Sequence, residues 1–279
     1  METPLNPDNN IIMPETASPL KVVMVGAGNV ASALAPALDR LDGVEVTAVW
    51  SRTATHAEEL AKLLSNVHVA GELSDIPSDA DLYLLSVTDD AIPSVAQAIK
   101  CGPQSVAAHT SGGVDASVLG CMTPHYGVFY PLQTFTKGEP VDLATVPLFV
   151  EGSDSVANRL LESLAKRITP LADYADSHRR AVMHAAAVFA CNFTNHFLAR
   201  ADDILRSEGL TLDVLRPLIA ETIRKSSVMD PRSAQTGPAR RNDTGCIAHH
   251  EALLTPDQRT LYHTVSQSII DYYHSKKSD

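Results

Sequence analysis

The spacing of apolar residues changes several times along the first half of the chain. Between Leu20 and about Ala172, short β-branched runs alternate with stretches whose apolar residues recur at helical spacing. The predicted strands are "KVVMVGAG", "VEVTAVWSR", "DLYLLSVTDD", "SVAAHTSGG" and "VPLFVEG", and the predicted helices are "NVASALAPALDRL", "HAEELAKLL" and "SVANRLLESLAKRI". Because this alternation is typical of α/β proteins, we predict a doubly wound parallel sheet.

Helical spacing dominates the second half of the chain. From about Ser177 to Ser207 the pattern predicts one long helix, with Asp176 or Ser177 placed to cap it. The segments "LDVLRPLIAETIRKSSV" and "HHEALLTPDQRTLYHTVSQSIIDYYHS" are also helical by period. We therefore predict a mostly disordered tail over residues 1–19, an α/β domain over residues 20–173 and an all-α domain over residues 174–279.

Charge and cysteine content narrow the classes of partner. The chain has 279 residues, a net charge of -11 and a pI near 5.4. Nucleic-acid binders concentrate Lys and Arg, so we expect a small-molecule partner instead.

The first twenty residues contain no Lys or Arg, and no apolar run has the length of a membrane helix, so we expect neither a leader nor a membrane span. Four cysteines without a CxxC pair predict free thiols, a cytoplasmic location and no metal site.

The segment "GAGNVA" lies between the first predicted strand and the first predicted helix and matches the pattern GxGxxG/A. In this pattern Gly26 permits a tight turn, Gly28 lets the backbone approach a pyrophosphate, and Ala31 lets the helix pack closely. The pyrophosphate binds the helix N-terminus, where free amides favour an anion. We therefore predict a Rossmann-type dinucleotide site that includes Asn29 and Val30.

The residues after the second strand indicate which dinucleotide is bound. NAD-binding proteins usually carry an acidic residue there, but this chain has Ser51, Arg52 and Thr53. Their donors and positive charge suit a 2′-phosphate, which predicts NADP over NAD. Val87 and Thr88, at the end of "DLYLLSVTDD", complete the predicted cofactor site.

Five motifs distributed over both predicted domains carry a resemblance to a known family. They are "GAGNVA", "HTSGG", "YPLQTF", "MHAAAVFACNF" and "TGPARRND". With them the chain resembles the Rossmann-like plus DUF2520 family of NADP oxidoreductases. That resemblance implies a dinucleotide domain followed by a helical domain of the 6-phosphogluconate-dehydrogenase C-terminal type. More distantly, the chain is similar to pyrroline-5-carboxylate reductases, which bind substrate with a loop of the helical domain, and to prephenate dehydrogenases. The latter carry a catalytic His-Pro pair where this chain has Tyr130 and Pro131, which argues against prephenate-type chemistry.

Hydride transfer to a carbonyl or imine needs a proton donor and hydrogen bonds to the heteroatom. His109 and Ser111, at the end of a predicted strand and before two glycines, are candidates because doubly wound sheets bind ligands at strand ends. On the long predicted helix, His184, Asn192 and Asn195 share a face flanked by alanines. We predict His184 as a general acid, with Asn192 beside it.

The loop "SAQTGPARRNDTG" interrupts the helical domain and is unusually rich in Gly, Pro and charge. Two adjacent arginines, Arg240 and Arg241, suit the binding of a carboxylate or phosphate. We predict a substrate-anchoring loop that includes Thr236, with Asp243 orienting one arginine. A capped turn with a surface ion pair is the alternative for this loop.

Together these patterns predict an NADP-dependent oxidoreductase that acts on a small anionic carbonyl, imine or hydroxy compound. We expect it to be a homodimer that associates through the helical domain. The alternative is a regulatory or scaffold protein that binds NADP without turnover. A deazaflavin cofactor, known from related families, is a third possibility that no residue here supports.

Overall fold

The computed structural model describes residues 18–274, so the predicted tail lies almost entirely outside the described residues. Two compact units make up the described chain, one ending at Val188 and the other beginning at Phe189. The first contains a β-sheet and is called the sheet unit; the second is called the helical unit. The predicted domain limit at residue 173 stays a prediction.

An eight-stranded sheet organises the sheet unit, and the predicted α/β class is confirmed. Its strands are β1 (Leu20–Val25), β2 (Val44–Trp50), β3 (His68–Ala70), β4 (Leu82–Leu85), β5 (Val106–His109), β6 (His125–Pro131), β7 (Leu148–Gly152) and β8 (Ala172–Tyr174). Their order is β3-β2-β1-β4-β5-β6-β7-β8. Strand order reverses between β1 and β4, the position where doubly wound sheets bind ligands.

Helices cover both faces of this sheet. They are α1 (Asn29–Asp39), α2 (Ala54–Ala61), α3 (Ile92–Ala98), α4 (Ser155–Ile168) and α5 (Ser177–Ala187). Alternate residues of β1 point to opposite faces, so Met24 packs in the core with α1, α2 and α4, whereas Val25 packs with α3. Apolar residues on both faces explain why the strands read as continuous apolar runs.

The sheet departs from the prediction at one edge. Strand β7 pairs antiparallel with β6, and β8 is parallel to β7, so the sheet is mixed rather than wholly parallel. A parallel pair needs a long crossover, usually a helix. The connection from Pro131 to Leu148 contains only the short 3-10 turn Leu143–Thr145, so the chain returns in the opposite direction.

The helical unit contains only helices and connections over its described residues, Phe189 to His274. They are α6 (Thr194–Ser207), α7 (Arg216–Val228), α8 (Pro231–Ala234), α9 (Pro238–Arg241), α10 (Thr244–Ala252) and α11 (Pro256–His274). The predicted helix from Ser177 to Ser207 is helical throughout, but it contains a π-helical turn, Val188–Phe193, between α5 and α6. Helix geometry at 3.6 residues per turn therefore does not carry from His184 to Asn192.

Over residues 18–274, no helix combines the length and apolar character that a bilayer crossing requires.

Candidate functional site

The turn after β1 has the geometry that its glycine pattern predicts. Gly26 has φ +112°, a conformation that favours glycine, and its amide donates to the Trp50 carbonyl at 2.7 Å. A Cβ on Gly26 would collide with the Ser86 carbonyl. Gly26 thus joins the carboxyl ends of β2 and β4, and packing within the chain fully explains it.

Gly28 is different, because nothing in the chain itself requires a glycine there. Its φ is -83°, and a Cβ would meet no atom within 4 Å. Gly28 is the N-cap of α1, and no side chain caps the amides of the first turn, which also lacks an acidic residue. The predicted residues Asn29 and Val30 begin this helix, and the next residue, Ala31, is fully buried. The exposed, uncapped N-terminus is suited to an anion that approaches the backbone closely.

The predicted 2′-phosphate loop lies directly beside this turn. Val25 and Trp50 are register partners, so the residues after β2 follow the same edge of the sheet as Gly26. Arg52 and Thr53 are exposed, and the Thr53 amide donates weakly to Ser51 Oγ at 3.4 Å. Ser51 to Thr53 therefore present a cation and hydroxyl groups to solvent next to the N-terminus of α1.

The residues after β4 lie at the same edge of the sheet as the turn after β1 and the loop after β2. Val25 pairs with Leu85, and the Ser86 amide donates to the Val25 carbonyl at 2.7 Å. Val87 follows, with a side-chain carbon 3.2 Å from the position of a Cβ on Gly26, and Thr88 is exposed. The structure therefore brings together all nine predicted cofactor residues at the carboxyl ends of β1, β2 and β4.

His109, predicted to be catalytic, is the last residue of β5 and is fully buried. Its Nδ1 accepts the Ser111 amide at 3.2 Å, and its Nε2 has no hydrogen-bond partner. Burial lowers the pKa of His109 to about 4, against a smaller opposing effect of the Asp115 backbone. A neutral imidazole without exposed surface cannot donate a proton to substrate at neutral pH, so the geometry assigns His109 to holding the Ser111 turn.

Ser111 shapes the turn after β5. Its Oγ accepts the amides of Gly113 and Val114, both at 3.1 Å, and this leaves the hydroxyl proton free to donate elsewhere. Gly112 sits under two side chains: a Cβ there would lie 2.7 Å from the Tyr130 ring and 3.0 Å from His184 Cβ. Glycine at this position lets both side chains pack on the backbone of the turn.

Tyr130 and His184 form a pair that the sequence interpretation did not anticipate. Tyr130 Oη and His184 Nδ1 lie 3.1 Å apart, and the two rings meet edge to face. Tyr130 is nearly buried near the end of β6, whereas His184, on α5, is exposed. Burial raises the pKa of Tyr130, opposed by the charge of Arg180, and the Asp89 carboxylate adds to the increase. The phenol therefore keeps its proton at neutral pH.

Arg180 fixes α5 against the sheet one helical turn before His184. Its fully buried guanidinium donates to the Glu151 carboxylate, to the Ala175 carbonyl at 3.2 Å and to the Val114 carbonyl at 3.0 Å. One side chain thus ties α5 to β7 and to the turn after Ser111. This buried ion pair positions the helix that carries His184.

Asn192, predicted to act beside His184, lies in the π-helical turn and is exposed. It belongs to the helical unit, so its pairing with His184 stays a prediction. Turns of this type occur frequently at functional sites.

The predicted substrate loop divides into two parts in the helical unit. Thr236 and Gly237 line a cavity of about 310 Å³ whose walls come from α6, α9 and α11 and are mainly apolar. Gly237 has φ +103°, and α9 begins at the next residue. The loop therefore contains a short helix, and its amino-terminal part borders a predominantly apolar cavity.

The two arginines of this loop have no ion-pair partner among the described residues. The Arg240 guanidinium stacks on the Tyr273 ring at 4.4 Å, and Arg241 is exposed. Asp243 caps α10 by accepting the Cys246 amide at 3.0 Å. The expectation that Asp243 orients an arginine was wrong, because its carboxylate serves the N-terminus of the next helix.

Together, the carboxyl edge of the sheet offers an uncapped helix N-terminus and, from β5, β6 and α5, a hydroxyl and a phenol paired with an exposed imidazole. Sequence reasoning missed Tyr130, Asp89 and Arg180 as members of this site. The one available signal was the position of Tyr130, where related dehydrogenases carry a catalytic residue. Arg180 gave no signal, because a helical arginine is normally exposed.

Comparisons with known proteins agree with this architecture. The Rossmann-like domain family matches residues 5–133, and the Domain of unknown function DUF2520 matches residues 146–269. A crystal structure from Bacteroides fragilis, provisionally named an NADP oxidoreductase, is 38% identical, with 91% of this chain and 99% of that chain covered and a TM-score of 0.86. No curated protein matches this chain significantly.

More distant structures share the fold. The imine reductase from Myxococcus stipitatus in complex with NADP+ is 18% identical, with 90% of this chain and 92% of that chain covered and a TM-score of 0.58. The 1-pyrroline-5-carboxylate reductase from Streptococcus pyogenes is 13% identical, with 91% and 100% covered and a TM-score of 0.59. This chain belongs to the two-domain family that joins a Rossmann-like domain to a DUF2520 domain.

Proposed function

We propose that the protein is an NADP-dependent oxidoreductase that transfers a hydride to or from a small anionic carbonyl, imine or hydroxy compound. The observation that carries this proposal is the uncapped N-terminus of α1 behind Gly28, beside the acid-free loop Ser51–Thr53. The names of the related structures support a nicotinamide dinucleotide in general, and the NADP preference rests on Arg52.

The cofactor's place follows from the three segments at this edge. Gly26, Gly28, Asn29 and Val30 would hold the pyrophosphate, because their backbone is open and their helix end attracts an anion. Ser51, Arg52 and Thr53 would hold the ribose 2′-phosphate, and Val87 and Thr88 would line the site after β4. When bound, the nicotinamide supplies or accepts the hydride.

Tyr130 supplies the proton that hydride transfer requires. His184 Nδ1 lies within hydrogen-bond distance of Tyr130 Oη, so a proton on this nitrogen can pass to the phenol oxygen as the phenol proton moves to the substrate heteroatom. Ser111, with its unused hydroxyl proton, donates a hydrogen bond to the same atom. His184 is then a proton relay rather than the direct acid that the sequence suggested. Tyr130→Phe is expected to lower turnover about 100-fold and leave NADPH affinity unchanged.

The anionic group of the substrate is assigned to the loop of the helical unit, which includes Thr236, Arg240 and Arg241. Neither guanidinium is neutralised within the described residues, and Arg240 is held on Tyr273 with its donor edges free. Asp243 contributes by fixing the end of the loop on α10. Asn192 remains a proposed neighbour of the reacting atoms.

A homodimer is the second part of the proposal. The helical unit exposes large apolar side chains along α6 and α7, including Phe197, Leu218 and Val228. Several large exposed apolar side chains on neighbouring helices of one unit favour an association site. A second copy of the chain is the partner we propose, because it brings an identical apolar surface wherever the chain is present. A cytoplasmic location stays a prediction from the four free cysteines.

The cofactor assignment is tested by titrating the wild type and Arg52→Ala with NADPH and NADH. Arg52→Ala should weaken NADPH binding about ten-fold, through loss of a charged hydrogen bond, and leave NADH binding unchanged. Arg159→Ala is the matched control. Arg159 is also an exposed arginine, but it lies on α4, after the antiparallel strand β7, and α4 carries none of the predicted cofactor residues. An unchanged preference for NADPH would refute the role of Arg52. NADPH binding without turnover by any tested carbonyl would favour the scaffold alternative.

A further inference from the structure

The segment after β6 forms a turn whose tip is a lysine. The Glu139 amide donates to the Thr136 carbonyl at 3.1 Å, which closes a four-residue turn. Gly138, the third residue, has φ +86°, as a type II turn requires. Lys137 therefore occupies the second position, and its side chain is free to leave the turn.

Two contacts fix this turn against α1 and α2. The Lys137 amide donates at 3.2 Å to Oδ1 of Asn29, the first residue of α1. The Lys137 ammonium donates at 2.5 Å to Oε2 of Glu59 on α2. Glu59 lies about 7.5 Å along the axis from the first residue of α2. The backbone of the turn is therefore fixed to α1, and the ammonium is fixed to α2, the helix that follows the loop Ser51–Thr53.

In the Lys137–Glu59 ion pair, a phosphate can replace the Glu59 carboxylate as the partner of the ammonium. The side chains are 37% and 54% exposed, and exposed ion pairs contribute little stability. The hydrogen bond from Lys137, and then its charge, lower the pKa of Glu59, so the carboxylate competes for the ammonium as an anion at neutral pH. A 2′-phosphate dianion that also meets the donors of Ser51–Thr53 carries more charge than a carboxylate and is a stronger partner for the ammonium.

We propose that Lys137 is a cofactor-specificity residue whose ammonium exchanges Glu59 for the 2′-phosphate of NADP. This inference rests on the proposed NADP-binding function and extends it to a segment far along the chain from the glycine turn. Lys137 and Arg52 then contact the phosphate from different elements. Glu59 is the competing anion that limits the affinity.

The test is calorimetric titration of the full chain with NADPH and with NADH. Lys137→Ala should weaken NADPH binding about ten-fold and NADH binding less than about two-fold. Glu59→Gln should strengthen NADPH binding about two- to five-fold, because the phosphate no longer competes with a carboxylate. Lys166→Ala is the control, since it removes an equally short exposed pair, with Glu162 on α4, and should change neither affinity.

Three results would overturn the inference. Unchanged NADPH affinity in Lys137→Ala would exclude any contact with the cofactor. Equal losses for NADPH and NADH would place Lys137 at the pyrophosphate instead of the 2′-phosphate. If the wild-type chain binds neither dinucleotide, the proposed function is overturned and this inference with it. The wild-type titration comes first, so this result is known before any variant is compared.

Discussion

The sheet unit and the helical unit bury their apolar residues very differently. In the sheet unit, most apolar side chains of the central strands, and the core-facing ones of α1 and α4, are buried. In the described part of the helical unit, only Ala239 and Ile247 are buried among the apolar residues. Large side chains such as Leu218, which is 64% exposed, face solvent instead.

This difference shows that the two units obtain their stability in different ways. The sheet unit is covered by its own helices and carries all nine predicted cofactor residues. The helical unit buries few of its apolar side chains and leaves large ones exposed. The same chain thus combines a self-sufficient cofactor domain with a domain that we propose to complete itself through a second copy.

The largest effect is expected when the apolar surface of the helical unit is charged. Leu218→Glu should convert the dimer to a monomer, because the charge would be buried without a partner at the interface. Size-exclusion chromatography with light scattering measures the change. Leu171→Glu, at a 48% exposed position of the sheet unit, should leave the mass unchanged. A wild-type chain that is monomeric at micromolar concentration contradicts the proposed dimer.

A second comparison concerns one ion pair from each unit. Glu151→Ala leaves the fully buried Arg180 charge without its carboxylate and should cost about 3–5 kcal/mol of unfolding free energy. Asp257→Ala, which breaks the exposed pair with Arg200 in the helical unit, should produce no measurable loss. Urea unfolding measures both. Similar losses in the two variants would contradict the difference in burial between the units.

The pH dependence of stability should arise partly from one buried residue of the sheet unit. The pKa of His109 is lowered to about 4 in the folded state, so the unfolded chain binds the proton first. Its contribution to stability is therefore present above about pH 6.5 and is lost as the pH falls through 4, by up to about 3 kcal/mol.

His109→Asn keeps an acceptor for the Ser111 amide and does not titrate, so it should flatten this part of the profile. Trp50, the one tryptophan of the chain, lies on β2 and reports unfolding of the sheet unit by fluorescence. An identical pH profile in wild type and His109→Asn would show that His109 is not responsible.

The smallest effect on stability separates the two glycines of the cofactor turn. Gly26→Ala should destabilise the sheet unit by about 2 kcal/mol or more, because of its positive φ and the Ser86 carbonyl. Gly28→Ala should leave the unfolding free energy nearly unchanged and still weaken NADPH binding, since only a ligand needs that space. Loss of stability in Gly28→Ala, measured with Trp50 fluorescence, would contradict this distinction.

Sequence reasoning succeeded where structure is local. Patterns within a few residues of one another predict the turn at Gly26 and the helix over residues 155–168. They also predict that the carboxyl ends of β1, β2 and β4 lie side by side. The antiparallel strand β7 was missed because its direction depends on the connection before it. The π-helical turn was missed because its sequence, "VFACNF", is compatible with an ordinary helix.

The proton-donating part of the site could not be predicted for a related reason. Tyr130 and His184 are 54 residues apart, and only folding of β6 and α5 onto Gly112 brings them together. The roles of His109 and Asp243 were misassigned because residue type alone does not reveal burial or a capping position. Burial converts His109 from a candidate acid into a support for the turn at Ser111.

The most direct test of the account is titration of the purified wild-type protein with NADPH and NADH under the same conditions. The open helix end at Gly28 and the cationic loop at Arg52 predict that NADPH binds at least about ten-fold more tightly than NADH. Failure to bind either dinucleotide, or tighter binding of NADH, would contradict the assignment of this edge of the sheet as an NADP site.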